Sequence, residues 1–341
     1  STGAGVRQSI TVAQCTLADN ANRGLFARGS NAVVTVSRSV FSGNGADPYG
    51  LDGNHGFGVK VRNDAAVEVR ECYIVNPATV TAPYNVYALS ISASSGSTLV
   101  VRDTSIDNNA NPNGVLASGT LDASANWWGT NAPAAIGAAM GAGVDYTPWF
   151  DEGTDTEPGT AGFQPDYSTL WADDDSAQTG SDGRIQEAID LVEGSTVYVA
   201  AGSYVGAVID KEVVLIGAAG HASVITNGVP YKTGSGLTTA FRLDAGADGT
   251  ELRDLAIQCS QSLSYYFAVF SRGVDNVIVD NLVVNDAIQG ISNWGGSNWE
   301  ITHNELSDTV AAGGGGIAIF LGTKPTEYPV CSGNLVQSNT M

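Results

Sequence analysis

A strand-like motif that recurs along the chain limits what it can fold into. In the first half "ITVAQCTLADN" (10–20), "VTVSRSVFSGN" (34–44), "VEVRECYIVN" (67–76) and "LVVRDTSIDNN" (99–109) align, followed by a shorter "LDASANWWGT" (121–130). Placing Val12, Val36, Val69, Val101 and Ala123 in register gives steps of 24, 33, 32 and 22 residues. Each copy alternates apolar and polar residues, the pattern of a half-buried strand. The copies end in Asn or Gly, which accept the left-handed backbone of a corner. A step of about 22–24 residues fits three short strands and their corners, and a longer step leaves a loop at one corner. The pattern predicts coils stacked on coils, with equivalent residues about 4.8 Å apart in columns. Cys15, Ser39, Cys72, Thr104 and Asn126 share one column, where small polar groups hydrogen-bond along the stack.

The second half repeats the pattern. "TELRDLAIQC" (250–259), "NVIVDNLVVND" (276–286), "NWEITHNELSD" (298–308) and "NLVQSNTM" (334–341) align at Leu252, Val279, Ile301 and Val336. Asn304 and Asn339 then follow Leu255 and Leu282 in one column. Between the halves lie the aromatic "GVDYTPWF" (143–150) and the polar "DEGTDTEPGTAGFQPD" (151–166), which reads as linker. The one helix expected is in "SDGRIQEAIDLVEG" (181–194). Ile185, Ala188, Ile189 and Val192 share a face, Ser181 or Asp182 is placed to cap the start, and Gly194 to end it.

The fold class expected is all-β: a parallel β-solenoid in two segments joined by a linker, with one short capping α-helix; the resemblance given below implies that it is a right-handed parallel β-helix. Residues 1–150 read as the last coils and closing cap of a first β-helix, 151–180 as the linker, and 181–341 as the helix cap and first coils of a second. Solenoid ends expose apolar core and unpaired backbone and must be covered. The helix at 182–193 covers one end in this reading, and Trp127 and Trp128 with Tyr146 and Trp149 plug the other. Both termini fall mid-solenoid, so the chain is expected to be an excerpt of a longer array or to self-associate head to tail through open ends.

Composition agrees with a turn-rich all-β chain: charged residues are 15% and Gly numbers 42. The net charge of −20 argues against nucleic acid and anionic membranes as partners. No run of 18 apolar residues suggests membrane insertion.

"RIQEAIDLVEGSTVYVAAGSYVGAVIDKEVVLIG" (184–217) resembles the N-terminal cap and first coils of the right-handed parallel β-helix (pectate-lyase-like) superfamily. "ANWWGTNAP" with "VDYTPWF" resembles the closing segment of tandem β-helix secreted surface proteins. The resemblance implies an extracellular or cell-surface location and an adhesive or structural role, as part of a surface array or fibre. The alternative it implies is a carbohydrate-active enzyme, a polysaccharide lyase or glycosidase, or a carbohydrate-binding module. The Arg-x-Pro-x-x-Arg pattern of the lyases and the paired Asp and Gly-His-Gly motifs of the polygalacturonase type are not found, so no catalytic residue is assigned. The regular Thr-x-Thr rows of an ice-binding solenoid are lacking too.

Three groups of residues are candidates for binding. His303 with Asp286, beside Trp294 and Trp299, suits a sugar ring stacked on an aromatic and held by polar groups. Asp173, Asp174, Asp175 and Asp182 supply oxygen ligands for calcium, the candidate cofactor, although Asp near a helix start also answers the helix dipole. His55, Lys60 and Arg62 form the densest basic cluster, whose alternative readings are a solvated loop and strand face, taken first, and a catalytic role. Lys211 reads as structural. The four cysteines match no metal motif. Cys15 and Cys72 lie two coils apart, roughly 10 Å by strand spacing, too far for a disulfide. Cys259 and Cys331 occupy different columns and could pair only through a loop, so buried thiols are the default.

Overall fold

The computed structural model of the protein describes residues 8–45, 55–75, 85–91, 96–107, 115–117, 121–232, 234–259, 265–309 and 315–341. The corner residues Asn76, Asn108 and Asn109 lie outside them. The chain forms two compact units. Unit 1 comprises Ser1–Asp166 with Asp175–Ser181, and unit 2 Tyr167–Asp174 with Asp182–Met341.

Both units are parallel β-solenoids. Each coil contributes up to three strands, and each strand pairs with its equivalent one coil on. In unit 1 the first face runs through Gln8–Ala13, Ala32–Ser37, Ala66–Arg70, Thr98–Arg102, Leu121–Asp122 and Val144–Asp145. The second face runs from Thr16–Ala18 to Asn126–Trp127, and the third from Arg23–Arg28 through His55–Arg62 and Asn85–Ile91 to Val115–Ala117. In unit 2 the first face begins at Thr169–Ala172 and reaches Leu335–Gln337. The third face holds Ala207–Ile209, Thr238–Leu243, Tyr265–Arg272, Gln289–Trp294 and Ile317–Gly322.

The expected register is found. Val12 pairs with Val36, Val36 with Val69, and Val69 with Val101. In unit 2 Leu252, Val279, Ile301 and Val336 pair in turn. Inward positions stack into the core, with Val36, Val69, Val101, Leu252, Val279 and Ile301 fully buried. Burial of this kind contributes about 25 cal/mol per Å² of apolar surface.

The polar column has a definite hydrogen-bond logic. The backbone N–H of Cys15 donates to Ser39 Oγ (3.1 Å), that of Ser39 to Cys72 Sγ (3.4 Å), that of Cys72 to Thr104 Oγ1 (3.4 Å) and that of Thr104 to Asn126 Oδ1 (3.0 Å). Each side chain thus serves the corner amide of the coil before it. The residue preceding each column member (Gln14, Arg38, Glu71, Asp103, Ala125) has φ between 49° and 55°. This corner of unit 1 falls on residues other than Asn and Gly, whereas Gly43 (φ 60°) and Gly129 (φ 79°) take the left-handed backbone near the ends of their segments, as expected. The cost of that backbone is offset locally, because the corner N–H of Gln14, Arg38 and Asp103 each reaches a carbonyl of the next coil. In unit 2 Asp254, Asn281, His303 and Ser338 repeat the corner.

The ends of the units differ from expectation in four ways. First, a second helix, Pro133–Ala139, has Pro in its first turn and buries Ile136. Its Ala-rich sequence carries too few large apolar residues to show a 3.6-residue period. Second, Trp127 and Trp128 are only half-buried, whereas Tyr146, Trp149, Phe150 and Phe163 are buried and form the plug. Third, the span 151–180 is divided between the units, and part of it is the strand Thr169–Ala172, paired with Thr196–Val199. Residues 151–166 dock on unit 1: Phe163 packs against Tyr73 and Phe150, and Tyr73 Oη donates to Asp155 Oδ2 at 2.6 Å. Fourth, the N-cap of helix Arg184–Leu191 is Gly183, with no side-chain cap from Ser181 or Asp182, and the helix ends at Val192 rather than Gly194. Its predicted face, Ile185, Ala188, Ile189 and Val192, is buried. Lys211 Nζ donates to Val192 O at 2.6 Å, a cation on the carbonyl end of the helix.

All four cysteines are free thiols. Burial pushes the Cys72 thiol up to about 12 and raises that of Cys259 still further. Among the described residues no helix is long and apolar enough to cross a membrane.

Candidate functional site

The third face of unit 2 carries a cleft of about 730 Å³. Its floor comes from adjacent strands. Arg242 pairs in register with Phe270, and Arg272 with Trp294. Phe267 and Phe270 lie 4.5 Å apart between ring centroids.

One wall is a turn inserted after the strand Ser223–Asn227. Val229–Pro230 doubles back antiparallel to Thr238–Leu243, and Tyr231 N–H donates to Leu237 O at 3.1 Å. This places Tyr231 edge-on to Phe270 (5.6 Å, 84°) and beside Phe267 (5.7 Å). The other wall is a tight turn in which Lys324 and Tyr328 exchange backbone hydrogen bonds of 2.9 and 2.8 Å. Tyr328 lies over Gly273 and Gly295, whose φ values are +64° and +77°. A Cβ on Gly295 would sit 2.3 Å from Tyr328 Cβ, so close approach as well as backbone requires glycine there.

The cations of the cleft differ in their engagements. Arg242 is held by Asp244, with Nε at 3.0 Å and Nη2 at 2.8 Å, and by Pro230 O at 2.6 Å. Arg272 lies over Phe270 (5.0 Å) and Tyr231 (6.0 Å), and Lys232 Nζ lies 5.3 Å from the Tyr231 ring. Both are exposed. A ring face attracts a cation by about 0.5–1 kcal/mol at an exposed site and leaves its N–H donors directed to solvent. Glu327 is paired with Lys324.

The residues singled out from sequence are placed differently. His303 and Asp286 stand at opposite ends of the Glu305–Ser307 level: Asp286 N–H reaches Ser307 O, whereas His303 precedes that strand. The carboxylate at His303 is Asp280, 2.8 Å from Nδ1, while Asp286 accepts from Gln258 Nε2 at 2.9 Å. Trp299 is fully buried and donates Nε1–H to Val274 O at 2.7 Å, so it is a core residue. Trp294 is half-buried, packs tilted against Phe320 (4.4 Å, 36°) and shares the third face with Arg272. Of the four, it alone lies on the face that carries the cleft.

The acid-rich run is not gathered into an oxygen cage. Asp173 is buried, Asp174 accepts the Ser203 N–H at 2.8 Å, Asp175 is counted with unit 1, and Asp182 is exposed. Among the described residues no group of three or more His, Cys, Asp and Glu is arranged to hold a metal ion. Lys60 is buried with Nζ 3.9 Å from the Phe57 ring, Arg62 is half-buried, and the side chain of His55 lies outside the described residues.

Residues 2–126 match the family model described as the right handed beta helix region. With the parallel sheets of both units, the match gives the fold as a right-handed parallel β-helix. Compared with the curated proteins and with the solved structures, the chain has no match. The fold hosts many activities, so function has to be argued from the cleft itself. Sequence reasoning passed over that cleft, although "VPYKTGSG" (229–236) and "YYFAVFSRG" (265–273) held a signal. A strand with aromatics at both parities puts rings on both sides of its sheet, and Tyr231 from the Pro-Tyr-Lys turn packs on Phe267 and Phe270, which are both buried.

Proposed function

We propose that this chain is an extracellular adhesive β-solenoid that binds an anionic carbohydrate in the cleft of unit 2. One observation carries the reading: Arg272 and Lys232 present their charges on the rings of Phe270 and Tyr231, in a chain of net charge −20. The half-buried Tyr231 ring beside these cations suits a sugar whose apolar face stacks and whose acidic group accepts charge-assisted hydrogen bonds, with the buried Phe270 beneath. The volume of about 730 Å³ is in the range of ligand clefts. Binding is favoured over turnover because Asp244 is held by Arg242 and Glu327 by Lys324, which leaves neither poised as a general acid or base.

Titration calorimetry of the whole chain with a trisaccharide of uronic acid, and with its neutral counterpart, tests the reading. The acidic sugar is expected to bind, and Arg272→Gln to weaken it about tenfold or more, the loss of one charge-assisted contact. Equal binding of the neutral sugar, or an unaffected Arg272→Gln, overturns it.

A further inference from the structure

The dipeptide Asn-Gly occurs three times in the chain, at 44–45, 113–114 and 227–228. This pair is open to one uncatalysed reaction. The backbone nitrogen of the glycine attacks the carboxamide carbon of the asparagine, and a glycine has no side chain to shield that nitrogen. Such a step needs the reacting groups held about 3–3.5 Å apart. Asn113 and Gly114 lie outside the described residues; the structure separates the other two pairs.

Asn44 and Gly45 are each tied to the preceding coil. Asn44 is fully buried. Its Oδ1 accepts from Asn20 Nδ2 (2.8 Å) and from the Asn20 N–H (3.2 Å), and its Nδ2 donates to Leu17 O at 2.6 Å. The Gly45 N–H is given to Asn20 O at 2.8 Å. Asn227 and Gly228 are arranged the other way. Asn227 ends the strand Ser223–Asn227 and is exposed, so water reaches it. The Gly228 N–H donates to Asn227 Oδ1 at 2.9 Å, which lays the carboxamide against the nitrogen that attacks it. The backbone also leaves the regular ladder here. Tyr204 pairs with Ile225 but Val205 with Asn227, so Thr226 is the extra residue of a bulge.

From this contrast we infer that Asn227 is a site of spontaneous deamidation, and that the reaction remodels one wall of the unit 2 cleft. The Gly228 nitrogen bonds to Asn227 Cγ and gives its proton to solvent. The Cγ–Nδ2 bond breaks, and the nitrogen leaves as ammonia with a proton from solvent. Water then opens the five-membered imide at either carbonyl, giving aspartate or isoaspartate, and nothing is oxidised or reduced. Both products place a new carboxylate on the segment that leads into Tyr231 and Lys232. Isoaspartate also lengthens the main chain by one methylene and displaces the carbonyl that accepts the Gly206 N–H at 2.9 Å. A carboxylate added there opposes an anionic ligand. That consequence rests on the reading of the cleft as a site for an acidic sugar, whereas the reaction does not.

The test is peptide mapping by mass spectrometry after the folded whole chain has been aged at mildly alkaline pH. Asn227 is expected to convert to aspartate and isoaspartate while Asn44 stays intact, and unfolding in denaturant is expected to bring Asn44 up to the rate of Asn227. Asn227→Gln, which would have to close a six-membered ring, and Gly228→Ala, which shields the nitrogen, are expected to lose the conversion. No conversion at Asn227, or conversion of Asn44 at the same rate in the folded chain, overturns the site. Titration calorimetry with the uronic acid trisaccharide reads the consequence. The aged chain and Asn227→Asp are expected to bind about fivefold more weakly than the fresh chain, the scale of one exposed charge. Undiminished binding by the aged chain overturns the effect on the cleft and leaves the site standing. Failure of the fresh chain to bind overturns the reading of the cleft, and the peptide map still decides the site.

Discussion

His303 Nδ1 lies 2.8 Å from Asp280 Oδ1, across two neighbouring coils of the first face of unit 2. Thr302 Oγ1 donates to the same oxygen at 2.7 Å, and Arg253 Nη1 lies 3.1 Å from Oδ2. Burial pushes the Asp280 carboxyl up. The hydrogen bonds of Thr302 and His303 and the charge of Arg253 outweigh it and hold the group below its ordinary 3.8. A carboxyl lowered in the folded state adds stability above its unfolded value, and this is lost as pH falls through the folded one. Asp280→Asn is therefore expected to cost about 0.5–1 kcal/mol at neutral pH, the scale of a solvent-screened pair. The cost should vanish below the folded value. Denaturant melts of both proteins across the acid range check this; a difference that persists undiminished in acid rules it out.

Asn126 closes the polar column of unit 1. It accepts the Thr104 N–H and donates through Nδ2 to Val101 O (2.7 Å), Ala123 O (2.7 Å) and Ser124 O (3.2 Å). Asn126→Ala leaves these buried backbone groups unpaired and is expected to cost roughly 2–4 kcal/mol. Ser39→Ala, which removes one acceptor, is expected to cost about 1–2 kcal/mol. Chemical denaturation measures both, and equal costs would contradict the role of Asn126 as terminator.

Tyr73 holds residues 151–166 on unit 1. Burial first, then the hydrogen bond and charge of Asp155, raise its phenol to about 12. A phenol raised in this way adds stability below its unfolded value of about 10 that is lost as pH rises through the folded value. Tyr73→Phe is expected to speed proteolysis within 151–166 at neutral pH. The wild-type chain should become equally sensitive only near pH 12. Protease mapping with phenolate absorbance reads both effects.

The two tryptophans 294 and 299 are expected to behave oppositely. Trp299→Ala empties a fully buried site and strands the Val274 carbonyl, costing about 3–5 kcal/mol. Trp294→Ala removes a half-buried ring from Phe320 and should cost about 1–2 kcal/mol. Thermal melts distinguish them.

What could be read from the chain in advance follows from periodicity. Alternation and step length place Val12, Val36, Val69 and Val101 in register, because a one-residue slip would turn every core side chain to solvent. The column from Cys15 to Asn126 was legible for the same reason. Residues with no periodic partner were not. Phe163 lies in a polar stretch, and only docking against Tyr73 and Phe150 buries it. His303 and Asp286 are close in sequence register, yet they sit at opposite ends of a strand level, and Asp280 takes the partner's place.

The sequence by itself determined the stack, its register and its helical lid, since a strand repeat fixes which residues face inward whatever the loops do. Only the tertiary structure decided which side chains meet outside the core. The Tyr231 turn and the Tyr328 turn converge on Phe270 and Arg272 through loops that carry no repeat. Chain connectivity sets the ladder, but through-space packing of irregular segments sets the site.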